Sequence, residues 1–338
     1  MLRELDCSLA SVPGGADHVE VLVPRKAGVV YPSYKSLLVK EVGSLTGQAW
    51  EQFELPLYCR GKVLFTPCGG APLLHSCNVV TIHDASVFAT PDAYSRAYAT
   101  WYRWLFSQLG RTAQRIITVS EFSKSELVRY CRIDPSRISV THSGCDHAAN
   151  DQPDYSILQR YGLSKVSYVL AVSSRNPNKN FQGVVDAMKI LRGRTLPFVV
   201  AGEMNSHVFG ESEDLPESVL QIGRVSDAQL RALYQEAGCF VYPSFYEGFG
   251  LPPLEAMACG CPVVAGDIAA LRETCGDAAL FCGPADPSSI AECIDAVTTN
   301  AEVRQKCIEK GFLQTQRFKW VKTAEDTWKI LMEVALNC

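Results

Sequence analysis

Along the chain, apolar residues gather into short unbroken runs, and the stretches between the runs carry apolar residues three or four positions apart. A short run buried on both faces reads as a strand of a parallel sheet, and the wider spacing reads as the helix that covers it. In the first half the runs are 19–24, closed by Pro24, then 62–66, 79–82, 115–119 and 138–141; in the second they are 168–172, 196–201, 219–222, 239–242, 262–265 and 280–281. Strands alternating with helices predict βα units and an α/β fold. The chain opens instead on a short amphipathic piece, with Leu2, Leu5 and Leu9 on one face and Pro13-Gly14-Gly15 behind it. That is unusual, because such folds open on a strand. Helix starts are also marked: Ser120 and Ser123 supply capping hydroxyls, Ser226-Asp227-Ala228-Gln229 spells a capping box, and Pro284-Ala285-Asp286-Pro287-Ser288 is a third helix entry. Further helices are expected around Val303 and over residues 320–336.

A length of 338 residues suits two domains. The polar connection near Asp151, Pro153 and Asp154 divides the chain into a first domain over residues 1–150 and a second over 151–318, with a C-terminal helix over 319–338 expected to cross back to the first. With 47% apolar and 20% charged residues the chain reads as globular rather than disordered. A net charge of −4 gives no case for a nucleic-acid partner, and the acidic excess falls in the second half.

The 14 cysteines are scattered, with no paired spacing and no signal peptide, and are read as reduced, mostly buried thiols of a cytoplasmic protein. His142, Cys145 and His147 sit in HSGCDH, which matches no zinc spacing and reads as a loop after a strand, so no metal site is expected. Residues 63–82 carry no Lys, Arg, Asp or Glu, but Pro67, Gly69, Gly70 and Pro72 break them into two buried segments, not a membrane span. Over residues 96–115, Arg96, Arg103, Arg111 and Arg115 interleave with Tyr98, Trp101, Tyr102, Trp104 and Phe106. Two readings stay open there: an aromatic stripe facing a core, or a basic aromatic face for peripheral contact with an anionic membrane at its inner surface.

Candidate chemistry concentrates in the second domain. In GCFVYPSFYEGFGLPPLEAMACGCPVVAG (residues 238–266) a strand leads into a glycine loop and then a helix entered through Pro252 and Pro253 and stopped at Gly260. Prolines are tolerated there because the first amides of a helix have no internal partner, and those amides with the helix dipole attract anions. Glu247 and Glu255 flank the loop with seven residues between them. Lys179, Gly202, Arg224 and Val225 each follow another strand, at the strand ends where ligands of parallel sheets gather. A diphosphate needs cations and amide donors together, which Lys179, Arg175 and the amides of Phe249, Gly250 and Leu251 are expected to provide, while Gly248 and Gly250 let a ligand approach the backbone. Glu255 suits the two hydroxyls of a ribose, leaving Glu247 nearer a reacting carbon.

The same stretches resemble the retaining glycosyltransferases of group 1, family four, which include bacterial mannosyl- and glucosyltransferases. The resemblance rests on PSFYEGFGLPPLEAMACGCPVVAGDIAALRETCGDAALFCGPADP (243–287), GRVSDAQLRALYQEAGCFVYPS (223–244), NPNKN (176–180), TIHDAS (81–86), RIITVSEFSKSEL (115–127) and SGCDH (143–147). It implies the GT-B fold, two Rossmann-like parallel-sheet domains facing a cleft. It further implies that Lys179 binds the diphosphate of a sugar nucleotide, that Glu255 binds its ribose, and that Arg224 and Val225 lie beside the base. Glu247 with the amides of Phe249, Gly250 and Leu251 would hold the donor sugar and phosphates, and His83, at a strand end of the first domain, would face the sugar and the leaving group. Where the family has Arg-Lys this chain has Asn178-Lys179, so Arg175 is expected to stand in for the missing cation.

The opening helix resembles the one that comes after the family's first strand and glycine-rich loop, so that strand and loop are expected to be missing from the first domain, which bears on activity. The expected reaction moves a hexose, mannose from GDP-mannose or a sugar from a UDP-sugar, to a glycan or lipid-linked acceptor in polysaccharide or lipopolysaccharide synthesis, with retention and without metal or other cofactor. A front-face attack is expected over a covalent intermediate on Glu247. Two other readings are a non-catalytic or truncated partner protein of the same fold and a UDP-sugar 2-epimerase-like enzyme; the glutamate spacing argues against the second.

Overall fold

A computed structural model describes residues 2–10, 19–26, 28–150, 152–172, 177–191, 196–202 and 219–338. Arg175 and the expected stop at Pro13-Gly14-Gly15 lie outside the described residues. The chain divides into two α/β units, one of Met1–Gly144 with Trp320–Cys338 and the other of Cys145–Lys319.

In the first unit the opening helix Leu2–Ala10 precedes β1 (Glu20–Pro24), which pairs in parallel with β2 (Leu38–Val42). Strand β2 is absent from the sequence reading because it holds no apolar run: Leu38, Lys40 and Glu41 are exposed and only Val39 and Val42 are partly buried. Its entry is held from a distance, since the Asp6 carboxylate accepts the backbone amides of Lys35, Ser36 and Leu37 at 2.7, 2.6 and 2.9 Å. Leu22 and Val42 pack on buried Trp50, Leu55, Cys59 and Leu64, and the Trp50 indole donates to the Val42 carbonyl at 2.9 Å.

The second sheet of this unit runs in chain order, β3 (Leu64–Thr66), β4 (Asn78–Thr81), β5 (Arg115–Thr118) and β6 (Ile138–Val140), all parallel. The C-terminal helix Trp320–Ala335 returns to it, packing Ile330 and Val334 on Val79 and Ile117. The helix Arg96–Thr112 shows why two readings competed: Leu105, Phe106 and Leu109 are buried, while Tyr98 and Trp104 are 45% and 47% exposed. Among the described residues no helix is long and apolar enough to cross a membrane.

One cysteine expectation is corrected. Cys77 and Cys338 form a disulfide, with Cα atoms 6.0 Å apart across a sequence separation of 261. Spacing gave no sign of it, because only the return of the C-terminal helix brings the last residue beside the start of β4. Most other cysteines of the described residues are buried thiols.

The second unit holds β7 (Val169–Val172), β8 (Phe198–Ala201), β9 (Val219–Gly223), β10 (Cys239–Tyr242), β11 (Val263–Gly266) and β12 (Ala279–Cys282) in one parallel sheet ordered β12-β11-β10-β7-β8-β9. Its strands carry residues such as Val169, Phe198, Val200, Val241 and Val264, fully or nearly fully buried beneath Val184, Val185 and Met188 of one helix and Ile290, Ile294 and Val297 of another. The order matters for function. The chain lays β8 and β9 to one side of β7, then crosses back and lays β10, β11 and β12 to the other. At such a reversal the loops leaving the two central strands diverge and open a crevice at their carboxyl ends.

Candidate active site

The crevice lies beyond β7 and β10 of the second unit. Past β7 the chain forms the single turn Pro177–Lys179 and enters the helix Phe181–Ile190 through Asn180, whose φ of +53° is one that asparagine tolerates better than most side chains. The Asn180 amide accepts from the Gly183 N–H at 3.2 Å and donates to the carbonyls of Pro243, at 3.2 Å, and Pro284, at 2.5 Å. One buried side chain thus ties together the loops that follow β7, β10 and β12. A second tie is the Phe245 N–H, which donates to the Asn178 carbonyl at 2.8 Å.

With the two loops clamped, Lys179 is aimed across the crevice. Its ammonium donates to Glu247 Oε1 at 2.6 Å and to the Tyr242 hydroxyl at 2.5 Å, and stands 4.8 Å from the Tyr242 ring centroid. The lysine and glutamate side chains are only 23% and 11% exposed. Sequence reasoning gave Lys179 to phosphates and Glu247 to the sugar; the structure places both at one point and pairs them. Burial, reinforced by the Glu247 carboxylate, pushes the Tyr242 phenol well above its ordinary range, so it stays protonated. Tyr242 and Asn180 were both missed. Tyr242 reads as an ordinary apolar strand residue, and its one signal was its place as the last residue of β10.

The glycine loop continues to the helix Leu251–Ala258, capped by Gly250 at φ +94° with no side-chain cap and with proline in its first turn. The N-cap residue thus brings no side chain of its own to the first amides of that helix. Gly248, Phe249 and Gly250 are buried and Leu251 is half-buried. Thr274 Oγ1 donates to the Phe249 carbonyl at 2.8 Å, and the Phe249 ring meets Phe318 edge-on at 5.6 Å, which fixes the loop from behind.

Glu255 lies in the second turn of the helix, its side chain 17% exposed, and Oε1 is 3.0 Å from Nε2 of His147. His147 comes from the turn Asp146–Ala149, the stretch read from sequence as a plain loop. The hydrogen bond to Glu255 is the main cause that raises the imidazole above its ordinary range, with burial opposing it. Of the remaining residues, Gly202 takes φ +106° and its amide donates to the Gly223 carbonyl at 2.7 Å, joining the ends of β8 and β9. Exposed Arg224 and half-buried Val225 follow β9 directly. His83 follows β4 in the first unit; it is exposed and its carbonyl accepts from Thr118 Oγ1 at 3.3 Å.

Comparison with known proteins agrees in both halves. Residues 157–314 match the family model of the glycosyl transferases group 1, and residues 64–149 match that of glycosyltransferase family 4. The O-antigen chain mannosyltransferase B of Escherichia coli is 32% identical over 265 residues, which are 74% of this chain and 68% of that protein. The O-antigen chain mannosyltransferase RfbU of Salmonella typhimurium is 28% identical over 232 residues, 68% of this chain and 62% of that protein. The crystal structure of WaaG, a glycosyltransferase involved in lipopolysaccharide biosynthesis, superimposes with a TM-score of 0.71 at 14% identity, covering 98% of this chain and 94% of that one.

Proposed function

The chain belongs to the group 1 glycosyltransferases and has their GT-B fold, and we propose that it moves mannose from GDP-mannose to a growing glycan or lipid-linked acceptor with retention of configuration. The observation that carries this reading is the cluster of Lys179, Tyr242 and Glu247 at the strand-order reversal, in the loop that enters a helix through a glycine N-cap. Mannose is favoured because the two relatives above are both named as O-antigen mannosyltransferases.

The geometry supports a division of labour. When the bond from the sugar to the diphosphate breaks, negative charge grows on the leaving oxygens. A preorganised ammonium and helix amides stabilise it without having to reorganise at that moment. Before the donor arrives Glu247 neutralises Lys179; the incoming diphosphate then competes for the ammonium and leaves Glu247 for the sugar hydroxyls. Glu255 takes the ribose hydroxyls, and Arg224 and Val225 flank the base. With Glu247 engaged by the sugar hydroxyls, attack by the acceptor hydroxyl on the leaving-group face is favoured over a covalent intermediate on Glu247. The hydroxyl proton passes to the departing phosphate oxygen. His83 is proposed to act on the transfer step and not on nucleotide affinity.

A thermal-shift screen of GDP-, UDP-, ADP- and dTDP-sugars tests donor identity, since a ligand that binds only the folded chain raises its midpoint. Stabilisation by GDP-mannose above the others is expected, and transfer should survive EDTA. Glu255→Ala should weaken nucleotide binding, whereas Glu247→Ala and His83→Ala should spare it and slow transfer. Equal losses of binding in Glu247→Ala and Glu255→Ala contradict the assignment. On the helix Arg96–Thr112, which carries no acidic residue, Arg96, Trp104 and Arg111 are exposed; we assign this face to peripheral contact with an anionic membrane. Cosedimentation with phosphatidylglycerol vesicles that vanishes in R96E/R111E checks it, and binding unchanged by that pair refutes it.

A further inference from the structure

We propose that His147 is a positioning residue of the donor site: it holds the Glu255 carboxylate by one oxygen and, when protonated, offsets its charge, so that sugar-nucleotide affinity is coupled to the proton on His147. The inference rests on the reading of Glu255 as the ribose ligand.

Three observations carry it. First, the contact is direct, 3.0 Å from His147 Nε2 to Glu255 Oε1, between a half-exposed ring and a mostly buried carboxylate. Second, the turn that presents the ring is built into place. On one side of His147 the Cys145 N–H and thiol both reach the Phe318 carbonyl, at 3.1 and 3.5 Å; on the other the Cys259 thiol donates to the Ala148 carbonyl at 3.4 Å. Burial pushes both thiols up to about 12, so they remain neutral donors throughout the range in which an imidazole titrates. Third, the charge balance calls for a cation. A carboxylate accepts up to about four hydrogen bonds, so one bond to His147 leaves room for both hydroxyls of a ribose. That same carboxylate opposes the approach of a diphosphate, and an imidazolium removes the opposition. The groups that bear on the ring charge are Glu255 from the helix Leu251–Ala258, Asp146 from its own turn and Asp227 from the helix Asp227–Glu236; two cations stand at the ends of the turn, Lys319 beside Cys145 and Arg231 of the helix Asp227–Glu236 beside Cys259. The three carboxylates hold the proton on, Glu255 most through its direct hydrogen bond.

Protonated His147 favours the anionic donor, so affinity should fall as pH rises through the raised imidazole range. GDP-mannose is the probe, because its doubly esterified diphosphate does not titrate near neutrality. By calorimetry from pH 5.5 to 8.5 the unaltered chain should lose about five- to tenfold in affinity, the low end of measured couplings between sites. His147→Gln keeps a hydrogen-bond donor without the charge and should give a flat profile near the high-pH value. His147→Ala should be flat and weaker still. By reciprocity, saturating GDP-mannose should raise the imidazole pKa followed by NMR in the full-length chain.

Affinity and pH slope unchanged in both His147 variants, or an imidazole pKa that GDP-mannose leaves unmoved, overturn the proposal. Glu255→Ala, which removes both acceptors offered to the ribose, separates the two levels. If it binds GDP-mannose as the unaltered chain does, the reading of Glu255 fails and the proposal with it. If it weakens binding while the His147 variants change nothing, the proposal alone falls.

Discussion

Replacing Lys179 by methionine keeps the length of the side chain and removes the ammonium that bridges Glu247 and Tyr242. The cost can be reasoned from the site. Removing one partner of a buried ion pair typically costs about 3–5 kcal/mol, because the other charge stays buried without compensation. Here the lysine and glutamate side chains retain 23% and 11% exposure, so water recovers part of that, and about 2–3 kcal/mol is the reasonable figure. For a unit of this size each kcal/mol moves the thermal midpoint by roughly 2–4 °C, which predicts a fall of about 4–12 °C without ligand. The partner change Glu247→Gln strands the ammonium instead and should cost a similar amount. The informative variant is the double change. With both charges gone nothing is left uncompensated, and K179M/E247Q should recover about 1–3 kcal/mol relative to the sum of the single losses. Differential scanning calorimetry of the four proteins, each with and without GDP-mannose, measures that recovery and the ligand-dependent rise together. Strictly additive midpoints for the two single changes would refute the coupling, and a full ligand-dependent rise in Lys179→Met would remove the lysine from the phosphate clamp.

Three further outcomes are expected. Gly266→Ala brings a Cβ within 2.7 Å of the Ser244 carbonyl oxygen, a backbone atom in the loop just past β10 that cannot rotate away, so a loss of about 1–3 kcal/mol is expected in chemical denaturation and a neutral result argues against that close approach. Cys338→Ser opens the link to Cys77 and should cost the first unit about 2–4 kcal/mol under oxidising conditions and nothing in reductant; non-reducing peptide maps should recover residues 77 and 338 together. The imidazole of His147 is raised in the folded chain, so its contribution to stability is fully present below the ordinary histidine value of about 6.5 and is lost as pH rises through the folded value. Midpoints of the unaltered chain and His147→Gln should therefore converge toward alkaline pH, and a gap that widens there contradicts the assignment.

The legible parts of this protein were those written within a few residues of one another. Ser226 and Gln229 announced a capping box and form one. The run Cys239–Tyr242 is a strand at the expected residues, and the glycine loop before Pro252 and Pro253 does open a helix at Leu251. Strand β2 escaped because exposed Leu38, Lys40 and Glu41 leave it no apolar run, and Tyr242 escaped because a phenol at the end of a buried strand looks like any other core aromatic.

The site itself is another matter. Lys179 and Glu247 are 68 positions apart, His147 and Glu255 are 108 apart, and Cys77 and Cys338 are 261 apart. Each pair meets because of how strands are ordered or how the last helix returns, and neither is encoded in local spacing. Capping, helical period and turn chemistry depend on neighbours in the chain, so the amino-acid order carries them directly. Which strand lies beside β7 depends instead on how the apolar faces of whole helices and strands can be buried together. That global packing put β10 next to β7, and with it turned a lysine, a tyrosine and a glutamate from separate loop and strand residues into one charged crevice.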